Sequence, residues 1–315
     1  MARKPRLWQP NIVFELTLRI ENRMFMLNPN PEIENIIGSV LARAVKRYPV
    51  RIHSFDTNIN HFHCLFSAAP GQVHNISPFL QYLNGQLAKQ LNIYYEREGR
   101  VWSSRARVIP VVDDDAVLQR LAYCACNVVK DNLVEKVSHW PGFSTYEQLA
   151  YGKRQTFCYL DRTAWHKAGG PKRNIPKQKY MRQVTLEISP LPGWEDMKPH
   201  DRQSKCRRLI KDMEHHYREI RKQEGHRVRG KYGLMEIDPF DRPDKEKEKT
   251  PIPKCHASTK EKRDEYIEEV LKPFWEAYGT ASALYLDGLI DTEFPPGSIP
   301  PPITTIYAKS RLRAV

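Results

Sequence analysis

Two periods of apolar residues succeed one another over the first 150 residues, and each period fixes an element. Ile12, Phe14, Leu16, Leu18 and Ile20 fall at every second position, with Val13, Glu15, Thr17 and Arg19 between them. A strand sends successive side chains to opposite faces, so this spacing predicts a half-buried strand. Ile33, Ile36, Ile37, Val40, Leu41, Ala44 and Val45 then recur at three and four residues and predict an amphipathic helix. Residues 50–59 and 61–67 predict two further strands joined by a tight turn at Asn58-Ile59-Asn60. Ser77-Pro78 reads as an N-cap followed by proline at the first helical position, opening a helix that buries Leu80, Leu83, Leu87 and Leu91. Val101 to Val112 predicts another extended segment, and Asp113 or Asp114 predicts the cap of a third helix running to about Val129. The order β-α-β-β-α-β-α implies an α+β domain, an antiparallel sheet with helices on one face.

The pattern changes near residue 150. Residues 151–200, rich in Lys, Arg, Pro and Gly, predict a loosely structured basic extension. Cys206, Leu209, Ile210, Met213, Tyr217 and Ile220 then share one face of a helix near 202–224, with Gly225 as its stop. Residues 230–257 read as a linker containing a Lys/Glu alternation at 245–249. Ser258-x-x-Glu261 is a capping-box pattern ahead of a helix burying Ile267, Val270, Leu271, Phe274 and Tyr278. The proline-rich stretch 294–302 predicts an extended tail, packed or idle in preference to serving as a ligand for another domain. The expected division is therefore 1–150, a basic extension 151–257 and a C-terminal helix with its tail, 258–315.

Charge adds a partner class. The chain carries 50 Lys plus Arg against 37 Asp plus Glu, a net +13, and most of the excess lies in residues 151–260. Such an excess favours a polyanion, nucleic acid ahead of a membrane surface. A hydrophobic content of 40% excludes wholesale disorder. No run of 18 apolar residues is present, which excludes a membrane-spanning helix. The basic N-terminus lacks the apolar stretch of a signal peptide, and six scattered cysteines form no disulfide framework, so a reducing cytoplasm is the expected compartment.

Candidate chemistry concentrates in two places. In Asn60-His61-Phe62-His63-Cys64-Leu65-Phe66, alternation puts His61, His63 and Leu65 on the open face and Phe62, Cys64 and Phe66 on the core face. The two imidazoles are spaced to share one metal ion, a spacing that packing histidines also adopt. In the third helix, Arg120, Tyr123, Asn127 and Lys130 fall within an arc of about 80°, opposite Val117, Leu118, Leu121, Ala125 and Val128. Tyr123 and Asn127, four residues apart, can present a hydroxyl and an amide oxygen to one point. An ordinary half-exposed helix face has the same look.

Together these residues resemble a known family. His61-Phe62-His63 resembles the HUH motif of single-tyrosine transposases, the IS200-like family of insertion sequences. Tyr123-Cys124-Ala125-Cys126-Asn127-Val128-Val129-Lys130 is similar to the tyrosine helix of the REP-associated branch. Val101-Trp102-Ser103-Ser104-Arg105 and the stretch from His139-Trp140-Pro141 to Ser144-Thr145-Tyr146 are similar to that branch's flanking segments. The resemblance spans residues 8–150. It implies a ferredoxin-like HUH endonuclease fold and a metal-dependent single-strand endonuclease and strand transferase acting on single-stranded or hairpin DNA. It implies Tyr123 as nucleophile forming a 5′-phosphotyrosine, His61, His63 and Asn127 as ligands of Mg²⁺ or Mn²⁺, and Arg120, Lys130, Arg105 and Arg107 as DNA contacts. Trp165, Tyr180 and Tyr217 are candidate stacking platforms. A nucleoid-associated protein of the cytoplasm, open to homodimerisation, is the matching setting. The chain departs from the family at Ile59, Ala106, Val128 and Asn132. These departures motivate the alternative, an inactive or repurposed nucleic-acid-binding protein with the same fold. The absence of a GxxxxGK[ST] loop argues against a replication initiator.

Overall fold

The computed structural model describes residues 4–243 and 251–302. Four strands, β1 (Val13–Arg19), β2 (Val50–Thr57), β3 (His61–Ala68) and β4 (Arg107–Val111), form an antiparallel sheet in the order β2-β3-β1-β4. Helices α1 (Pro31–Arg47) and α2 (Ile76–Tyr94) cover one face, and α3 (Asp114–Lys130) crosses the other. The alternation read from β1 explains this placement. Phe14, Leu16 and Leu18, with Phe62, Cys64 and Phe66 of β3, sit under α1 and α2 in the main core. Val13, Leu65 and Val111 meet Val117, Leu121 and Cys124 of α3 on the opposite side. Each large apolar side chain so buried contributes about 1.5–3 kcal/mol before ordering costs.

Local chemistry sets the boundaries. The Asn30 side chain accepts from the Glu32 amide and Pro31 opens α1, while Asp113 accepts from the Ala116 amide to cap α3. Asn132, just past α3, takes the left-handed conformation (φ 56°) that asparagine tolerates. Ser77 is not a cap. Helix α2 begins at Ile76, and the Ser77 hydroxyl accepts from the Trp8 indole at 3.0 Å. The extended segment expected over 101–112 shortens to β4, preceded by an isolated pairing of Trp102 with Ile20.

Residues beyond 150 pack on the same body. The short helix α4 (Tyr146–Tyr151) leads into β5 (Gln155–Leu160), which pairs with β6 (Met181–Leu186) around a second short helix, α5 (Arg162–Lys167). Where a loose extension was expected, this hairpin docks on α1. Asn35 exchanges two 2.8 Å bonds with the Cys158 backbone, and the Phe157 ring fills the space left by Gly38. Trp165 is buried (5% exposed) and its indole donates to the Ile175 carbonyl, so it offers no face to a base.

Helix α6 (Pro199–Gln223) packs along α3, with Cys206 and Ile210 buried and Gly225 left-handed beyond its end. The short α7 (Gly230–Met235) sits in the stretch expected to be linker; the Arg229 amide before it donates to the Asn132 carbonyl, and its first residue, Gly230, to that of Leu133. Residues 245–249, with their Lys/Glu alternation, lie outside the described residues. The last helix runs as α8 (Lys260–Tyr266), a π turn (Ile267–Leu271) and α9 (Lys272–Leu286), capped by Thr259 rather than Ser258. Leu271 and Phe274 are buried as expected, joined by Ala281 and Tyr285. In the tail, Phe294 packs on Tyr278 and Tyr285, and the Gly297 carbonyl accepts from the Trp8 amide at 2.8 Å. Among the described residues no helix is long and apolar enough to cross a membrane.

Candidate active site

The face of β3 that carries the histidines is covered, not open. Helix α3 lies across it, leaving His61 3% and His63 5% exposed. The two rings stand edge to face with centroids 5.2 Å apart, and the His63 ring meets the Tyr123 ring in the same manner at 5.7 Å. The polar stripe of α3 therefore turns toward the sheet. Asn127 is buried, Tyr123 and Arg120 are half-buried, and Lys130 is exposed.

Each group is held by a neighbour. His63 Nδ1 lies 2.9 Å from Glu15 Oε1 and 3.2 Å from Thr17 Oγ1. Its Nε2 is buried without a hydrogen-bond partner. A ring that donates from Nδ1 to a carboxylate keeps the lone pair on Nε2, the arrangement that orients a metal-binding histidine. His61 Nδ1 is likewise 2.7 Å from Asn60 Oδ1. Asn58, in the turn between β2 and β3, donates through Nδ2 to Asn127 Oδ1 (2.8 Å) and Asp131 Oδ2 (2.9 Å), tying α3 to the strand of the histidines. An amide oxygen accepting one bond retains a second lone pair. Lys130 Nζ donates to the Tyr123 hydroxyl at 3.0 Å, and the Arg120 guanidinium stacks 3.8 Å from the Tyr123 ring centre.

Glu15 joins much of this together and escaped the sequence reading. Buried on β1, it receives Nε and Nη2 of Arg120 at 2.5 and 2.8 Å, and His256 Nε2 approaches it to 3.2 Å. Burial alone would push its carboxyl up. His256, His63 and Arg120 outweigh burial and hold it well below the usual carboxylate range. Arg120, expected at a phosphate, is thus committed to Glu15. The parity of β1 carried a signal for Glu15, since it shares a face with Thr17 and Arg19, which pair with His63 and His61. Nothing in the sequence pointed to His256.

Other residues enter around this centre. Arg107 and Arg105 are exposed, and Arg107 has Arg19 and Arg23 as company. Partial burial and the guanidinium groups of Arg107 and Arg23 pull Arg19 below its ordinary value, against the attraction of Asp131. Tyr217 of α6 reaches the same neighbourhood. Burial, with the Tyr123, Cys126 and Asp131 groups nearby, pushes its hydroxyl up to about 12. Asp56, paired in register with His63, accepts from Ser144 Oγ at 2.6 Å, which gives the Ser144-Thr145-Tyr146 segment a structural role at the sheet edge. Burial raises the Asp56 carboxyl to about 6.

Among the described residues one cluster of acidic, histidine and cysteine side chains could hold a metal. Glu15, His63 and Cys124 bring ligand atoms within 4.8 Å of one another. Burial raises the Cys124 thiol well above its ordinary value, and Glu15 is already engaged, so this set suits a cation poorly as it stands. Of the expected set His61, His63 and Asn127, the two histidine rings lie 5.2 Å apart and the Nε2 of His63 is unpartnered.

In this α+β fold a strand bearing two imidazoles lies beneath a helix that lays a tyrosine over them. Residues 9–121 match the family described as "Transposase IS200 like". The match contains His61 and His63 and ends two residues before Tyr123. Among solved structures, the chain is similar to a REP-associated tyrosine transposase bound to a REP hairpin, at 19% identity and TM-score 0.42, over 48% of this chain and 87% of that one. It is similar to a protein described as a transposase of Deinococcus radiodurans R1, at 18% identity and TM-score 0.29, over 39% and 95%. A third likeness is to tRNA(His) guanylyltransferase from Saccharomyces cerevisiae, at 9% identity and TM-score 0.34, over 62% and 96%. All three are distant. No curated protein matches the chain.

Proposed function

We propose that the protein cuts and rejoins single-stranded or hairpin DNA through Tyr123. The observation that carries this reading is the Tyr123 ring 5.7 Å from His63, whose buried Nε2 has no partner. In the proposed reaction the Tyr123 oxygen loses its proton and forms a bond to phosphorus. The bond from phosphorus to the 3′ oxygen breaks, and that oxygen takes up a proton. The products are a 5′-phosphotyrosine and a free 3′-hydroxyl, which can attack the link in reverse at the same or another end. The phosphodiester bond energy is retained, so no nucleotide cofactor is consumed.

His61, His63 and Asn127 would hold Mg²⁺ or Mn²⁺, hard cations that keep water and phosphate oxygens in their shell. Such an ion supplies polarisation of the scissile phosphate and neutralises charge developing on it. Glu15 fixes the His63 ring, and Asn58 fixes the Asn127 amide. Lys130 places positive charge on the tyrosine oxygen, and Arg120 holds its ring from the face. Arg19, Arg107 and Arg105 are suited to DNA phosphates, which position a strand without reading its sequence. The net charge of +13 supports such a partner, and the reading goes with a setting at the nucleoid in the cytoplasm.

The test is covalent capture. Purified protein with Mn²⁺ and labelled hairpin DNA is expected to give an adduct that survives SDS and disappears with EDTA or in Tyr123→Phe. Tight DNA binding with no adduct across a panel of hairpins would instead assign the non-catalytic alternative.

A further inference from the structure

The segment 255–258 lies far from Tyr123 in sequence, yet it touches both supports of the tyrosine helix. Its backbone extends the sheet edge: the His256 amide donates to Pro110 (2.8 Å) and its carbonyl accepts from Val112 (2.9 Å), beside an isolated parallel pairing with Val111 of β4. Cys255 is buried next to it. Two residues on, the Ser258 amide donates to Asp113 Oδ2 at 2.8 Å. Asp113 is the N-cap of α3, and its other oxygen accepts from the Ala116 amide. One carboxylate thus joins the start of α3 to the C-terminal segment. The His256 side chain meanwhile points inward, its Nε2 buried and within ion-pair range of Glu15 Oε2 at 3.2 Å but outside hydrogen-bond geometry; that oxygen also receives Arg120 Nε. Arg120 lies one turn before Tyr123 on α3 and stacks on its ring.

We propose that residues 255–258 latch the tyrosine helix, and that His256 is a positioning residue acting through Glu15 and Arg120 on Tyr123. Four residues grip α3 at its cap and, through Glu15, at the turn before the nucleophile. A rotation or slide of α3 would break the Ser258–Asp113 bond and pull Arg120 from the carboxylate that His256 shares. The catalytic part of this inference rests on the strand-transfer reading of Tyr123. The latch itself is a statement about α3 and is read separately.

The experiment uses the full chain with His256→Ala and His256→Gln, the second retaining an amide that can reach Glu15. Hydrogen exchange of the α3 amides from Ala116 to Tyr123 reads the latch without DNA. Single-turnover adduct formation on a hairpin with Mn²⁺, over a range of DNA concentrations, separates rate from affinity. His256→Ala is expected to speed exchange in α3 and to slow adduct formation about tenfold at saturating DNA, with half-saturation unchanged. His256→Gln is expected to recover most of both. Unchanged exchange in His256→Ala, equal losses in both variants, or faster adduct formation on removing the imidazole would each overturn the latch. If the unsubstituted protein forms no adduct, the strand-transfer reading falls, and the exchange difference alone still decides the latch.

Discussion

At the scale of residues, buried polar groups decide how the molecule responds to its surroundings. His53 of β2 is fully buried, with Nε2 on Ser67 (2.9 Å) and Nδ1 on the Ser189 carbonyl (3.2 Å). Burial pulls it from its ordinary 6.5 down to about 4, against the backbone bonds from Ser189 and Pro190. Between these values the unfolded chain binds a proton that the folded chain does not. The stability that His53 contributes is therefore complete above about pH 6.5 and is lost as the pH falls toward 4, in total on the order of 3 kcal/mol. The gap in melting temperature between the unsubstituted protein and His53→Gln is expected to narrow from pH 7 to pH 5. A constant gap would show that the ring carries no such burden.

The histidine pair was legible from alternation alone, because period two leaves no choice of face. Its burial was not legible. Nothing local to β3 says that α3 will cross above it, and an imidazole tolerates either setting. Glu15 was half legible, as the single acid on the strand, though its partners come from β3, α3 and residue 256.

At the scale of elements, the docking of the β5–β6 hairpin depends on a missing side chain. A Cβ on Gly38 would lie 2.3 Å from the Phe157 ring, well inside contact distance. Gly38→Ala is expected to cost about 1–3 kcal/mol by overpacking and to make the 161–180 connection more sensitive to limited proteolysis. Adding Phe157→Leu should recover part of the loss, and additive losses in chemical denaturation would show that the two residues do not meet. Helix α1 was read well because both its cap and its period were strong. The β5–β6 hairpin is hard to read because its strands are short, half-exposed in β5 and largely exposed in β6, and set among Lys and Arg, which masks alternation. Helix α3 looked amphipathic, yet Ala125, Cys126, Val128 and Val129 pack in a second cluster with Ile210, leaving little of it to solvent.

At the scale of the whole molecule, the cores do not stop at residue 150. Leu186 joins the main core, Leu191, Trp194 and Cys206 join the cluster under α3, and Ile210, Leu234 and Ile237 join the one behind it. A chain ending at residue 150 is thus expected to expose Val128 and Val129 and to lose its cooperative thermal transition, with weak near-ultraviolet circular dichroism. A soluble, cooperatively melting fragment would show that the first 150 residues suffice. The charge excess of residues 151–260 marked a partner class from composition alone. That same stretch is also structural, because α6 braces α3 while carrying Lys205, Arg208 and Lys211.

Glu15 has one further consequence. Its three neighbours are gathered as the chain folds, so the two imidazoles and the guanidinium enter any reaction at Tyr123 with their freedom already spent. The disorder surrendered in arranging them belongs to folding rather than to each encounter with a substrate, and dipoles set in advance need no rearrangement when charge moves.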